Sequence, residues 1–367
     1  MRSIPKMLVL ATGVLLLATG CWHRPEAPVA PKSSPAAAPA VYVGSAACAQ
    51  CHPDESKTQS LSRHAHTLRI MSRRQLGKLA PPTGRVGNTS FVIVRADDQY
   101  GVGNPSQSDQ VAPLEYALGS GKTGVTYVFI DDRDRNKLVE FRSSYFPDQK
   151  LWYTTPGQER LAPDDLGRVH PAADARKCIL CHAVTLPDDS IVPQEQFFGV
   201  GCESCHGSGS AHVAAMRAGQ GGENGMERLE TWPASRLNEM CGRCHGTEQD
   251  VKQLHLPPDE TNRLQAYGLT QSKCYKQSGD TLSCITCHNP HTDVSTKLKT
   301  YEAVCLRCHS ATSSAQQPAP PRAATIKVCP VNPQGKCIGC HMPQRRAIPE
   351  LPTLMADHYI RVFPRSR

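Results

Sequence analysis

Apolar positions are unevenly spread along this chain, and the unevenness organises it. A run from Met7 to Ala18 follows Arg2 and Lys6; it is too short to span a bilayer comfortably and reads as an export signal. Pro25, Pro28, Pro31, Pro35 and Pro39 then alternate with Ala and Ser, which predicts an extended tether over 22–41 with no core of its own. Farther on, Phe91 to Val94, Val125 to Ile130, Lys137 to Phe141 and Leu151 to Tyr153 are β-branched or aromatic runs bounded by Gly, Asp and Pro. They predict a small antiparallel sheet. Helical pieces are expected near Met226 to Glu230 and Thr300 to His309. Gly119-Ser120-Gly121-Lys122-Thr123 matches the tail of a phosphate-binding loop, but its required first Gly would fall at Tyr116, so a hairpin turn is the better reading.

Composition sharpens the problem. Only 39% of the 367 residues are hydrophobic and 5% aromatic, and mean hydropathy is -0.41, a thin apolar supply for a chain of this length. Something other than side chains is expected to fill part of the interior. The sequence Leu17-Ala18-Thr19-Gly20-Cys21 resembles a bacterial lipoprotein processing site, with Cys21 as the lipidated first residue of the mature chain. A plain secretory signal with an incidental Cys21 is the alternative. Export would place the cysteines in an oxidising compartment, where free thiols are bonded to something.

Fourteen of the 17 cysteines supply that bond. They fall into seven C-x-x-C-H motifs: Cys48-Cys51-His52, Cys178-Cys181-His182, Cys202-Cys205-His206, Cys241-Cys244-His245, Cys284-Cys287-His288, Cys305-Cys308-His309 and Cys337-Cys340-His341. With 15 His in the chain, seven such adjacencies by chance have a probability on the order of 10⁻¹⁰, so one chemical cause is required. Two thiols at this spacing form thioethers to the two vinyl groups of a haem, and the adjoining imidazole becomes the proximal ligand of its iron. Zinc ribbons pair their C-x-x-C units and do not need the His each time. A disulfide framework or a thioredoxin-like motif leaves the repeated His without a purpose.

Seven haems would leave about 50 residues for each, too few for separate domains, so they must share walls. They would also bring about fourteen propionate charges, partly balanced by about one positive charge per ferric centre. The formal +8 of the polypeptide then falls to near zero or below, and the case for a nucleic-acid partner disappears. Setting aside His23 in the tether, seven further His remain as candidate sixth ligands: His64, His66, His170, His212, His255, His291 and His358. If all bind, every iron is six-coordinate and a pure electron carrier results. His64 and His66 point to nearly opposite sides of a helix, and His212 and His291 lie too close in sequence to His206 and His288 to reach across the same iron, so each would have to bridge to another haem.

Val43-Gly44-Ser45-Ala46-Ala47-Cys48-Ala49-Gln50-Cys51-His52 with Ser62-Arg63-His64-Ala65, then Cys284 to His291, Cys337 to Pro343 and Ala356-Asp357-His358, resemble the multihaem c-type cytochromes of the doubled C-x-x-C-H branch, related to the tetrahaem cytochrome of ammonia oxidisers. The resemblance runs from residue 41 over nearly the whole chain. It implies a mainly α and irregular multihaem cytochrome c fold whose haems form the core, with a small antiparallel β module inserted after the first haem motif. It also implies His64, His212, His291 and His358 as distal ligands; His66, His170 and His255 match no position in it. Cys274 and Cys329 sit where similar sequences carry Cys, and a disulfide between them is expected.

The expected organisation is therefore a lipoprotein-type signal over 1–21, the tether, a first haem motif in 42–80, a β-rich haem-free insertion over 81–170 and a six-haem domain over 171–367. The expected function is an exported heptahaem cytochrome carrying seven haem c groups. It would be lipid-anchored on the periplasmic side of a bacterial membrane, or else soluble in the periplasm, and would pass single electrons between periplasmic or membrane redox proteins. The rival is an oxidoreductase in which one open haem acts on a small nitrogen or sulfur compound.

Overall fold

A computed structural model describes residues 41–106, 111–220, 226, 228–310 and 328–363. The expected signal, Cys21 and the tether up to residue 40 lie outside the described residues, as does part of the expected helical piece near Met226. Ten strands lie between the first two haem motifs: β1 (Leu68–Ile70), β2 (Gly84–Arg85), β3 (Val92–Ala96), β4 (Gln99–Gly103), β5 (Val111–Leu114), β6 (Tyr116–Leu118), β7 (Val125–Asp131), β8 (Asp134–Phe146), β9 (Leu151–Thr154) and β10 (Gly167–His170). Near the chain's end come β11 (Gln344–Arg346) and β12 (Leu354–Ala356). Every pairing is antiparallel. One six-stranded sheet runs β1-β6-β7-β8-β10 with β9 also on β8, a four-stranded sheet runs β2-β3-β4-β5, and β11 and β12 pair with each other.

The predicted strands are all present, and the sheets extend well past them. The larger sheet starts at Leu68, inside the segment assigned to the first haem motif, because β1 pairs with β6. Gly119 to Thr123 joins the antiparallel β6 and β7, with Gly119, Gly121 and Gly124 at φ 105°, 88° and 112°; glycine reaches these angles without a Cβ penalty, and the segment is a hairpin connection.

Strand alternation gives this sheet two apolar faces. Val125, Tyr127 and Phe129 of β7 join Phe91, Ile93, Val102 and Phe141 in a core that fills the space to the smaller sheet. Val128 and Ile130, on the opposite side, pack with Leu68, Leu138, Ala175, Ile179 and Ala183. That second layer fixes helix position, since Ala175 and Ile179 belong to the helix that carries the second haem motif.

Among the described residues thirteen short helices make up most of the remaining regular structure: α1 (Ser45–Cys48), α2 (Pro53–Ser60), α3 (Arg73–Leu76), α4 (Ala172–Leu180), α5 (Cys202–His206), α6 (Ser210–Arg217), α7 (Ala234–His245), α8 (Glu248–Gln253), α9 (Gln265–Gln271), α10 (Lys273–Gln277), α11 (Cys284–Cys287), α12 (Leu298–His309) and α13 (Cys337–His341). The expected helix near Thr300 to His309 is α12, whereas the piece near Met226 is a 3₁₀ turn at Leu229–Thr231. The three apolar clusters all draw on the β strands. By contrast α12, twelve residues long, buries none of its own side chains.

Candidate haem sites

Each motif lies in or at the end of a helical turn: at α1, α4, α5, α7, α11, α12 and α13. In a helix the first Cys, the second at i+3 and the His at i+4 all project within about 100° of one another. Both thiols and the imidazole therefore face one side of a motif, as a single porphyrin would need.

Four pairs of imidazoles from different motifs or segments face each other. The ring centroids of His52 and His212 lie 6.4 Å apart, those of His64 and His245 6.1 Å, those of His206 and His291 6.1 Å, and those of His288 and His358 6.2 Å. A metal–imidazole bond is about 2 Å and the ring centre lies about 1.1 Å behind the nitrogen, so two imidazoles on opposite sides of one metal have centroids about 6.2 Å apart. The observed separations fit that requirement. In each pair one member is the His of a C-x-x-C-H motif and the other is one of the four distal candidates His64, His212, His291 and His358. His291 faces His206, not its sequence neighbour His288.

Hydrogen bonding leaves the ring nitrogen Nε2 available. Nδ1 of His182 bonds the Thr67 carbonyl at 2.9 Å, that of His341 the Arg361 carbonyl at 3.1 Å, that of His358 the Ala356 carbonyl at 2.9 Å, and that of His245 the Gln265 side-chain oxygen at 3.2 Å. Such bonds fix the tautomer and orient a ligating ring. Burial pushes His182, His206, His245 and His288 below the usual histidine range and His358 down to about 4. His245 keeps exposed area, yet the protein packed around it still lowers its pKa. Neutral imidazoles are the form that binds metal.

The three unmatched histidines sit elsewhere. His170 Nε2 lies 3.1 Å from Glu140 Oε2. His255 is exposed in a left-handed residue at φ 50°, and His66 is exposed near Arg69 and Asp293. Among the described residues no ring contact joins His182 to a second imidazole, and no three His, Cys, Asp or Glu side chains cluster as a zinc site would need.

Thiols of different motifs also meet. Cys48 of the first motif lies beside Cys202 of the third. Cys181 of the second, whose Sγ donates to the Arg243 carbonyl at 3.8 Å, lies beside Cys244 of the fourth, and the two thiols together raise Cys181 and draw Cys244 down to about 7. Cys241 lies beside Cys284 of the fifth, whose Sγ donates to Asn238 Oδ1 at 3.1 Å, and has Cys205 of the third nearby. Cys305 meets Cys337. The fourth motif thus borders the second, third and fifth. Cys274 and Cys329, expected to pair, are free thiols and no bond joins them in the structure. Cys274 is half-buried on α10 near Cys287 and Cys308, while Cys329 Sγ accepts the Asn332 N–H at 3.3 Å in the turn before the seventh motif.

Sequence reasoning gave no sign of Glu203, between the two cysteines of the third motif. It is 3% exposed and accepts N–H bonds from Val43 at 3.0 and 3.1 Å, Gly44 at 2.8 Å and Gly209 at 2.7 Å. One carboxylate so holds the start of α1, which carries Cys48, and the start of α6, which carries His212. Asp357, 4% exposed, likewise binds Arg345 at 3.0 Å and Arg361 at 3.1 Å beside His358.

Comparison with known proteins agrees with this chemistry. Residues 277–314 match the doubled CXXCH motif family, and residues 152–207 match the family of cytochrome c554 and c-prime. A search of curated proteins finds no match. Among solved structures, the outer cell wall cytochrome OcwA aligns at 17% identity and a TM-score of 0.43 over 85% of this chain and 65% of its own. The undecahaem cytochrome from the S-layer of Carboxydothermus ferrireducens aligns at 16% identity and 0.44 over 89% of this chain and 53% of its own. The chain thus spans about two thirds and about half of these proteins, and at such scores the overlap carries no argument about shared detail. Its repeated motifs and these two matching segments support a multihaem c-type cytochrome.

Proposed function

We propose that the protein binds seven haem c groups and passes single electrons between redox partners outside the cytoplasm, held at a membrane through a lipid on Cys21. The haems supply the one-electron chemistry; the chain fixes their ligands, spacing and exposure to solvent. The four facing imidazole pairs carry this reading, because an iron with two His ligands has no free position for substrate. Helices such as α12 that bury nothing of their own are consistent with porphyrins filling the space between motifs. The charge left after counting propionates suits transient, polar contacts with donor and acceptor proteins. Co-expression with a cytochrome maturation system, followed by intact mass measurement, tests the proposal. Seven haem additions are expected, and Cys178→Ala with Cys181→Ala should remove one; an unchanged mass in that variant overturns it.

A second reading rests on His182, whose ring, like that of His341, has no imidazole across from it among the described residues. An open iron there would bind a small molecule, as the oxidoreductase reading requires. Carbon monoxide binding by the reduced protein, lost on removing the second motif, would support it, and no binding at all would leave the carrier alone.

A further inference from the structure

The fourth motif occupies an unusual place in the network of contacts. Its thiols meet those of the second and fifth motifs and lie near the third, while its histidine faces His64 from just beyond the first. A haem held there adjoins at least three others, so its potential weighs on electron distribution through the whole set.

The support beneath that histidine also differs in kind. His182 and His341 donate to main-chain carbonyls, which no side-chain replacement alters. His245 donates to the side-chain amide of Gln265. That amide is oriented by its own second bond, from Nε2 to Met355 Sδ at 3.2 Å, which leaves Oε1 facing the imidazole. Its backbone is fixed as well: Gln265 opens α9, whose Tyr267 N–H bonds the Gly246 carbonyl at 3.0 Å, directly after the motif.

Donating its Nδ1–H to an acceptor makes an imidazole a stronger electron donor to a metal on its other nitrogen, and a stronger acceptor does so more. More donation favours ferric over ferrous iron and lowers the potential. A neutral amide lies between a carboxylate, which would pull harder, and an apolar side chain, which would not pull at all.

We infer that Gln265 is a positioning residue that sets the potential of the haem at the fourth motif through its hydrogen bond to His245. The inference rests on the proposed haem attachment and concerns one residue's effect on one member of the set.

Among the four facing pairs, that of the fourth motif stands apart. Its facing rings, His64 and His245, are inclined at 73°, against 28°, 20° and 30° for the other three pairs, and crossed axial imidazoles give a ferric paramagnetic resonance signal distinct from that of near-parallel ones. The experiment is a potentiometric titration of the full-length holoprotein, followed through that signal, for wild type, Gln265→Glu and Gln265→Leu. The glutamate should change the oxidised-to-reduced ratio of this haem about tenfold toward ferric, a downward shift of about 59 mV for a one-electron couple. The leucine should move it the opposite way, with the near-parallel signals unmoved in both. Unchanged potentials, or shifts of the same sign in the two variants, overturn the inference. Should Gln265→Leu fail to mature, Gln265→Glu, which keeps length and hydrogen bonding, decides by the direction of its shift. Mass analysis of the Cys241–Cys244 peptide separates the two layers: absence of haem there in the wild type sinks the attachment reading, whereas a loaded peptide with an indifferent potential sinks only the role of Gln265.

Discussion

Removing the Glu203 carboxylate should both weaken the fold and loosen one iron site. The side chain satisfies three main-chain N–H groups, on Val43, Gly44 and Gly209. Gly44 is held at φ 80° as the residue before α1. Bonds to an ionised acceptor contribute roughly 1.5 to 3 kcal/mol each, and such contributions do not add fully. Glu203→Ala leaves all three donors without their acceptor, and water entering the vacated space recovers part of the loss. The expected cost is about 4 kcal/mol. Glu203→Gln keeps one acceptor oxygen but sets an NH₂ against another donor, for about 2 kcal/mol. Guanidinium unfolding of the holoprotein, followed by far-ultraviolet circular dichroism, should show the midpoint falling in that order with an unchanged slope. Because the same carboxylate anchors α6, the His52–His212 pair should separate in part, and a high-spin ferric signal should grow alongside the instability. If both variants stay within about 0.5 kcal/mol of wild type, the idea that one buried acid joins the first and third motifs is wrong.

Three other outcomes are expected. His291→Ala should convert one haem from low to high spin and raise its potential; a spectrum identical to wild type would break the pairing with His206. Gly199→Ala should be poorly tolerated. Gly199 has φ 77° and a Cβ there would overlap the Ala65 carbonyl oxygen, while the next residue's N–H bonds the His64 carbonyl at 2.8 Å; a loss of about 2 kcal/mol should come with a change confined to the crossed-ring signal, and an unaltered signal would refute the link to His64. Phe141→Ala, at a fully buried position, should cost about 3–5 kcal/mol in the unfolding of the β module with no haem lost from the mass; loss of haem would show that the module and the motifs are not separable.

The motifs, the strand segments and the hairpin at Gly119 were legible from local pattern, because each depends on residues close together in the chain. The ring pairs were legible only as a set of candidates. That His291 faces His206 depends on how α5 and the segment after α11 meet, and a count of histidines cannot show it. Glu203, Gln265 and Gly199 were invisible for a related reason: an acid between two cysteines, an amide opening a helix and a glycine in a loop acquire meaning only from distant backbone. The extent of the sheet was underestimated because β1 and β6 are three residues each, too short to show an alternation of their own.

All four imidazole pairs join residues 70 or more positions apart in the chain. When an iron captures both rings it closes a long loop, and ligation then acts as a staple that shrinks the unfolded ensemble much as a crosslink does. All four staples interleave with at least one other: the loop from His52 to His212 ends inside the one from His64 to His245, the loop from His206 to His291 begins inside both, and the loop from His288 to His358 begins inside that one. With haems bound as proposed, maturation would not proceed piecemeal from one end: early iron centres would wait, singly ligated, until the far half of the polypeptide arrives.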